Sequence, residues 1–462
     1  MWPFDRFRRR GGYDSGGWRR GGNNWIPVDG RAEEINSMSR DMLRSRARDL
    51  ERNGDHVEAM IQAMQRNVVG GGIQVNHNLG DDLLEQQAES LWKGWCHAKS
   101  CDARGELCFH EIQSMAVRRM LVDGGLLIVR VTPRQQQGFS RVPLQLQLRE
   151  VDELCTSITF CGGNKVVGGV ELDGAGRPVA YHFLEYGLFG ENGRSQRVPA
   201  DRVIYLHKSK RPCEVREVSL FANIIGRLRD LNQYLNAISV KERMLACIGI
   251  VFKKASQIGG FGRNAARDPD TGAVERKMSP GMILETDPGD GVEVVNPTGQ
   301  AVNAKEMVST LLRSSSSAMG LSYEVVSRDM SQSNYSSARQ NLLEDRETYR
   351  EWQHYLMEHL CLTVYQWFLD SSVVANLLPI PDYFTRRSWY LSQVSFLAKG
   401  VSWIDPVKEV NANKIALQTG QTTLQEIAAE RGKDCREILK QRKKEQDFVK
   451  QIGFSRGSSN GR

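Results

Sequence analysis

The residues best suited to chemistry crowd into one short stretch, where Cys96, His97, Cys101, Cys108 and His110 offer thiol and imidazole ligands for a metal ion. Their spacing does not fit the paired C-x2-C…C-x2-C pattern of a closed zinc site. Trp92, Trp95 and Phe109 interleave them, which favours small thiols buried beside aromatic core residues and no bound metal. Gly162-Gly163-Asn164-Lys165 has the composition of a phosphate cradle, but strand-like sequence lies on both sides and no helix start follows, so a turn is expected. Carboxylate pairs such as Glu33-Glu34 sit in surface-like sequence. There is no G-x4-G-K-[ST] phosphate loop, no H-E-x-x-H and no G-x-S-x-G. The expectation is a protein that is not an enzyme and has neither cofactor nor structural metal.

Composition sets the bounds. The 462 residues suffice for several domains, and 40% hydrophobic with 25% charged residues is ordinary for a folded, soluble chain. No apolar run approaches the ~20 residues needed to span a bilayer, and no apolar signal segment opens the chain, so no membrane partner is expected. Residues 1–33 begin instead with Asp5-Arg6-Phe7-Arg8-Arg9-Arg10 and repeated Gly-Gly pairs, which reads as a disordered basic arm: a solvated tail, or a contact for nucleic acid or an acidic partner. The nine cysteines are odd in number and scattered, as suits a reducing compartment. A net charge of +7 falls short of the clustered basicity of a tight DNA binder.

The elements that must position any site alternate in period along the chain. Helices are expected over residues 34–66, Leu83 to Trp95 and Glu111 to Val122. Strands follow at Leu126 to Val131, Leu144 to Leu148, Lys165 to Leu172, Val179 to Leu184 and Val203 to Leu206, with a β-hairpin across Gly168 to His182. At Ser219 the period becomes helical: Leu220, Ile224, Leu228, Leu231, Leu235, Ile238 and Leu245 mark a helix of about thirty residues, roughly 45 Å long. That stripe fits a core helix of a globular domain. From Gly249 to Gln300 the pattern dissolves into turns and short strands, with Lys253, Lys254, Arg263, Arg267, Arg276 and Lys277 in its first part and Glu285, Asp287, Asp290 and Glu293 in its second. Ala304 to Ala318 returns as helix and ends at Gly320. Leu321 to Ser333 has no helical period and one basic residue, Arg328. Helix resumes after Asn334 or Ser336, with an apolar stripe from Leu342 to Trp367. Three helices close the chain, opened by Asp405-Pro406, by the capping box Thr423 to Glu426 and by Asp434.

Several motifs together resemble the lambda-type family of phage portal proteins over about residues 40–450. They are the hairpin Gly168 to His182, Arg46 to Asn53, Asn67 to Ile73, Leu121 to Gly125, Val198 to Ile204 with His207 and Arg211-Pro212, Asn334 to Arg339, and Trp403 to Glu409. The family usually follows Arg-Pro with Gly-Gln and then Arg-Gly, whereas Cys213-Glu214-Val215-Arg216-Glu217 stands here. The resemblance implies an α+β portal fold in a closed homo-oligomeric ring of twelve. Its wing would be residues 34–217, its stem helices 218–248 and 301–319, and its clip 249–300. The tunnel loop would be 320–335, a long helix returning to the wing 336–400, and the crown 401–450, with a flexible tail at 451–462.

The same resemblance implies a channel for double-stranded DNA at a unique capsid vertex of the virion, assembled in the host cytoplasm. Arg328, Asn334 and Tyr335 would face the DNA. Lys253, Lys254, Arg263, Arg267, Arg276 and Lys277 would dock the terminase large subunit and later a head-completion or tail connector protein, with major capsid and scaffolding proteins as further partners. The modest net charge suits a conduit, because many phosphate contacts would hold the duplex instead of passing it. Without a motor motif, another protein must power movement. Two alternatives stand: a structural head or connector ring that does not touch the motor, and a nucleic-acid-processing enzyme with a divergent site.

Overall fold

The computed structural model describes residues 29–133, 138, 140–187, 190–247, 251–253, 291–293, 304–400 and 406–451. Most of the arm, most of the clip and the last eleven residues lie outside them, together with Lys254, Arg263, Arg267, Arg276 and Lys277.

The chain opens with helices α1 (Ala32–Asn53) and α2 (Asp55–Val68). One helix was expected across 34–66, but Gly54 between them is extended (φ −116°, ψ 108°), and a Cβ there would lie 2.6 Å from the Leu50 carbonyl. Strand β1 (Gln74–Asn76) and helices α3 (Asp82–Trp95), α4 (Ala98–Cys101) and α5 (Phe109–Val122) follow. Next come β2 (Gly125–Val131), β3 (Gln145–Arg149), β4 (Phe160–Cys161), β5 (Asn164–Val167), β6 (Val170–Leu172), β7 (Pro178–Gly187), β8 (Gly190–Pro199) and β9 (Val203–His207).

These strands form two antiparallel sheets. In the order β3-β2-β9, central β2 is buried on both faces. Leu126 and Ile128 enter the helical core with Ile204 and Leu206, while Leu127 and Val129 join Val170, Tyr181 and Phe183 of the second sheet, β4-β5-β6-β7-β8. Burial on both sides explains why Leu126 to Val129 is a continuous apolar run. Lys165 to Leu172, expected as one strand, is two: Gly168 and Gly169 take positive φ (+55° and +87°), so Lys165 pairs with Leu172 and Val167 with Val170. Strand β8 carries almost no apolar alternation and was not anticipated. It is held by pairing with β7 from Ala180–Pro199 to Gly187–Gly190.

The second half is mainly helical. Helix α6 (Ile225–Cys247) starts after a 3-10 turn at Leu220–Asn223, so its 23 residues span about 35 Å instead of the expected 45 Å. Strands β10 (Val251–Lys253) and β11 (Gly291–Glu293) pair antiparallel. Then come α7 (Ala304–Ala318), α8 (Tyr323–Ser327) and α9 (Tyr335–Leu356), which runs through a π-turn at Met357–Cys361 into α10 (Leu362–Val374). The stripe Tyr349, Trp352, Leu356, Leu360, Val364 and Trp367 is buried, as its spacing predicts. Helix α11 (Tyr383–Gln393) leads to β12 (Ser395–Leu397), which pairs with β1. Helices α12 (Pro406–Gln418), α13 (Leu424–Glu430) and α14 (Cys435–Gln451) end the description, with the Thr423–Glu426 capping box formed.

Candidate functional site

The feature that stands apart from the packed body is the pair α6 and α7. Arg227, near the start of α6, donates to Ser314 Oγ near the end of α7 at 2.8 Å, as in an antiparallel pair. Both helices are buried only at the body end, through Ile225, Leu228 and Leu231 on α6 and Leu312, Ser315 and Ser316 on α7. From Asn232 to Arg243 no residue of α6 is buried: Leu235 is 37% and Val240 47% exposed, and Met307 on α7 is likewise exposed. At the far end, the strand that follows α6 pairs with the strand that precedes α7, and Lys253 is the last residue of that ribbon's first strand.

The segment that leads into α6 is fixed by charge. Arg40, Arg44 and Arg48 lie four residues apart on one face of α1. Arg44 Nη1 reaches Glu217 Oε1 at 3.2 Å, Arg40 Nε donates to the Glu217 carbonyl at 2.9 Å, and Arg48 bonds Asp123 and Asp152. Arg216 donates to Glu217 through Nε and Nη2, and its other bonds go to the Gly168 and Val151 carbonyls. The Tyr205 hydroxyl also donates to Glu217. Arg216 and Glu217 are both buried. Burial and the adjacent Glu217 hold the Tyr205 phenol well above its ordinary range. The stretch that departs from the family wording is therefore an ionic junction joining α1, the β5–β6 turn and β9 just before the exposed helical pair.

The segment after α7 corrects the expectation of an irregular connection from Leu321 to Ser333. Gly320 does end α7 (φ +69°), and Thr348 of α9 donates to its carbonyl at 2.8 Å. Leu321 is then buried, and α8 places Val326 in the helical core. Asp345 of α9, itself buried, accepts from Ser322 N and Ser322 Oγ, each at 2.7 Å, and burial pushes its carboxyl pKa up. Glu324 accepts from Ser333 Oγ and Asn341 Nδ2. Arg328 ends α8 in the left-handed conformation (φ 57°) with its side chain exposed; Met330, Ser331 and Gln332 are exposed beside it. Asn334 is occupied as the N-cap of α9, accepting from Ser337 N at 2.8 Å, and Tyr335 is that helix's first residue. Both flanks are therefore tied to the body, and the exposed tip is held to α7 by a bond from Arg313 Nη2 to Gln332 Oε1 at 3.2 Å.

The thiol cluster divides in two. Cys101 is fully buried, with its Sγ directed at the carbonyls of Cys96 and Leu107, in the same core as Trp92, Trp95 and Phe109, whose rings pack on one another. Burial pushes the Cys96 thiol up to about 12. Cys108 is instead at the surface at the start of α5, and its Sγ lies 2.9 Å from His110 Nδ1. A second cluster joins Cys161, Glu171 and His182 within the five-stranded sheet. There Glu171 accepts from Arg197 Nε at 2.7 Å, Asn164 Nδ2 at 2.8 Å and Arg197 Nη2 at 3.0 Å, and Arg197 above all draws its pKa down to about 2. Gly162 and Gly163, at positive φ, form the turn between β4 and β5, as expected.

Known proteins match this chain over most of its length. The family model of the phage portal protein, lambda family, matches residues 19–353. The chain is 24% identical over 453 residues to the probable portal protein of Halomonas phage phiHAP-1, covering 94% of this chain and 85% of that protein. It is 20% identical to portal protein B of Escherichia phage lambda, covering 95% and 90%. A chain from the neck of the native GTA particle superposes with a TM-score of 0.45 and 14% identity over 75% of this chain and 88% of that one. With a family match that spans the sheets, the buried ionic junction, both emergent helices and the start of the long helix, the chain belongs to the lambda family of phage portal proteins.

Proposed function

We propose that this chain assembles head to tail into a closed ring, of twelve subunits by family analogy, that conducts double-stranded DNA into and out of the capsid at one vertex. The observation that carries this reading is the pair α6 and α7, rooted in the body yet unburied along its outer length. A cyclic heterologous interface covers such faces on every subunit at once. Arg229, Asp230, Glu242 and Arg243 are exposed there with mixed sign, which suits a passage that guides phosphates without holding them.

On this reading the β10–β11 ribbon is part of the clip, residues 249–300. Lys253, Lys254, Arg263, Arg267, Arg276 and Lys277 dock the terminase large subunit and afterwards a head-completion or tail connector protein. The tunnel loop narrows to its exposed tip, Arg328 to Gln332, with Asn334 and Tyr335 at the base. The ring belongs to the virion and is built in the host cytoplasm among capsid and scaffolding proteins. Native mass spectrometry and negative-stain imaging of the purified protein should find a closed ring near the dodecamer; a stable monomer at micromolar concentration overturns the proposal.

A further inference from the structure

We propose that Cys108, His110 and Glu111 form an open surface site for a divalent transition metal, zinc(II) by the chemistry of the donors. One sulfur, one imidazole nitrogen and one carboxylate oxygen lie within 4.8 Å of one another. Cys, His and Glu are each zinc ligands, and three of them leave the fourth tetrahedral position open to water. Bonded to one tetrahedral zinc, sulfur and nitrogen would be about 3.5 Å apart. Here Cys108 Sγ is 2.9 Å from His110 Nδ1 and 3.7 Å from Nε2, so small side-chain rotations suffice to admit the ion. His110 and Glu111 are exposed and Cys108 half-buried, which leaves the site open to ions from solvent.

Local backbone favours the anions that the metal needs. Cys108 is the N-cap of α5, and Glu111, three residues on, accepts its N–H at 2.8 Å. The positive end of a helix stabilises both thiolate and carboxylate. Zinc binds the thiolate, so binding releases the thiol proton and affinity should rise with pH.

The other clusters do not offer the same chemistry. Cys101 is fully buried with its Sγ directed at two backbone carbonyls, and the Glu171 oxygens beside Cys161 and His182 already hold Arg197 and Asn164. The sequence pointed to a metal-free cluster, from spacing that fits no closed site of paired cysteines and from interleaved aromatics that suit buried thiols; the open site recruits Glu111 and the half-buried Cys108.

The test uses the full-length protein, stripped with a chelator and titrated with cobalt(II), whose thiolate complexes absorb by charge transfer. One equivalent per chain should produce the band, and zinc(II) should displace it. Cys108→Ser and His110→Ala should each abolish it without moving the unfolding midpoint, whereas Cys213→Ser, at another exposed thiol, should leave it intact. Absence of the band in the wild-type protein, or its survival in Cys108→Ser, overturns the proposal.

Discussion

Glu217→Gln is the sharpest probe of how the exposed helical pair is anchored. Glu217 is 1% exposed, and its carboxylate holds Arg216 Nε at 2.7 Å, Arg216 Nη2 at 2.9 Å, Arg44 Nη1 at 3.2 Å and the Tyr205 hydroxyl. Gln keeps the volume, so no cavity opens; the charge is lost and one acceptor oxygen becomes an amide donor facing other donors. Arg216, 3% exposed, would keep just the Gly168 and Val151 carbonyls, while Arg44 would keep Asp41 and Asp152. Removing one partner of a buried ion pair costs about 3–5 kcal/mol. The remaining partners of Arg44 argue for the lower end, about 3 kcal/mol, or roughly 6 °C in the unfolding midpoint of a body this large. Glu351→Gln, which breaks an exposed pair with Lys208, should cost less than about 1 kcal/mol. Adding Arg216→Met to Glu217→Gln should recover part of the loss, because the orphaned charge is then gone. The assay is calorimetric unfolding at pH 7. If Glu217→Gln shifts the midpoint no more than Glu351→Gln, the junction does not hold its charges out of water and the reasoning fails.

Reversing Arg263, Arg267 and Arg276 to Glu should leave the ring intact on native mass spectrometry yet weaken terminase binding, most at low salt because exposed charges are screened at high salt; unchanged binding at low salt moves the dock elsewhere. Deleting Asp329 to Gln332 should preserve folding and ring formation while impairing packaging or retention of DNA, and Arg328→Ala alone should do less. Normal packaging by the deletion variant would make the tip an ordinary surface connection. Leu321→Ala, at the buried flank of the same segment, should instead cost about 2–5 kcal/mol of stability. His77, bonded to the Tyr365 hydroxyl at 2.8 Å, is held neutral by burial with its pKa lowered to about 4. Its contribution to stability is therefore complete above the ordinary value of 6.5 and is lost as pH falls towards about 4. Urea unfolding across that window should show the slope in the wild-type protein and a flatter one in His77→Gln.

Features encoded within a few residues were legible from the chain alone. The α7 bounds, the Gly320 stop, the Asn334 and Thr423 caps and the β6–β7 hairpin all depend on one cap, one turn or one period, so their signal is local. Family membership was legible for a related reason, since ordered motifs along a chain survive without knowledge of what they touch. Tertiary structure decided the rest. Polar β8 is a strand because β7 offers it a ladder, and Leu321 to Ser333 is tied down because Asp345 and the face of α2 lie opposite. In sequence the Arg216–Glu217 pair was only a departure from the family wording; Arg40, Arg44 and Tyr205 close over it from distant parts of the chain. Cys108, His110 and Glu111 are neighbours in sequence, yet only the turn into α5 brings their donor atoms to one point. A cap or a period is set by the backbone's own neighbours. The burial of a charge and the convergence of ligands are set by which surfaces meet, and that is a property of the packed chain.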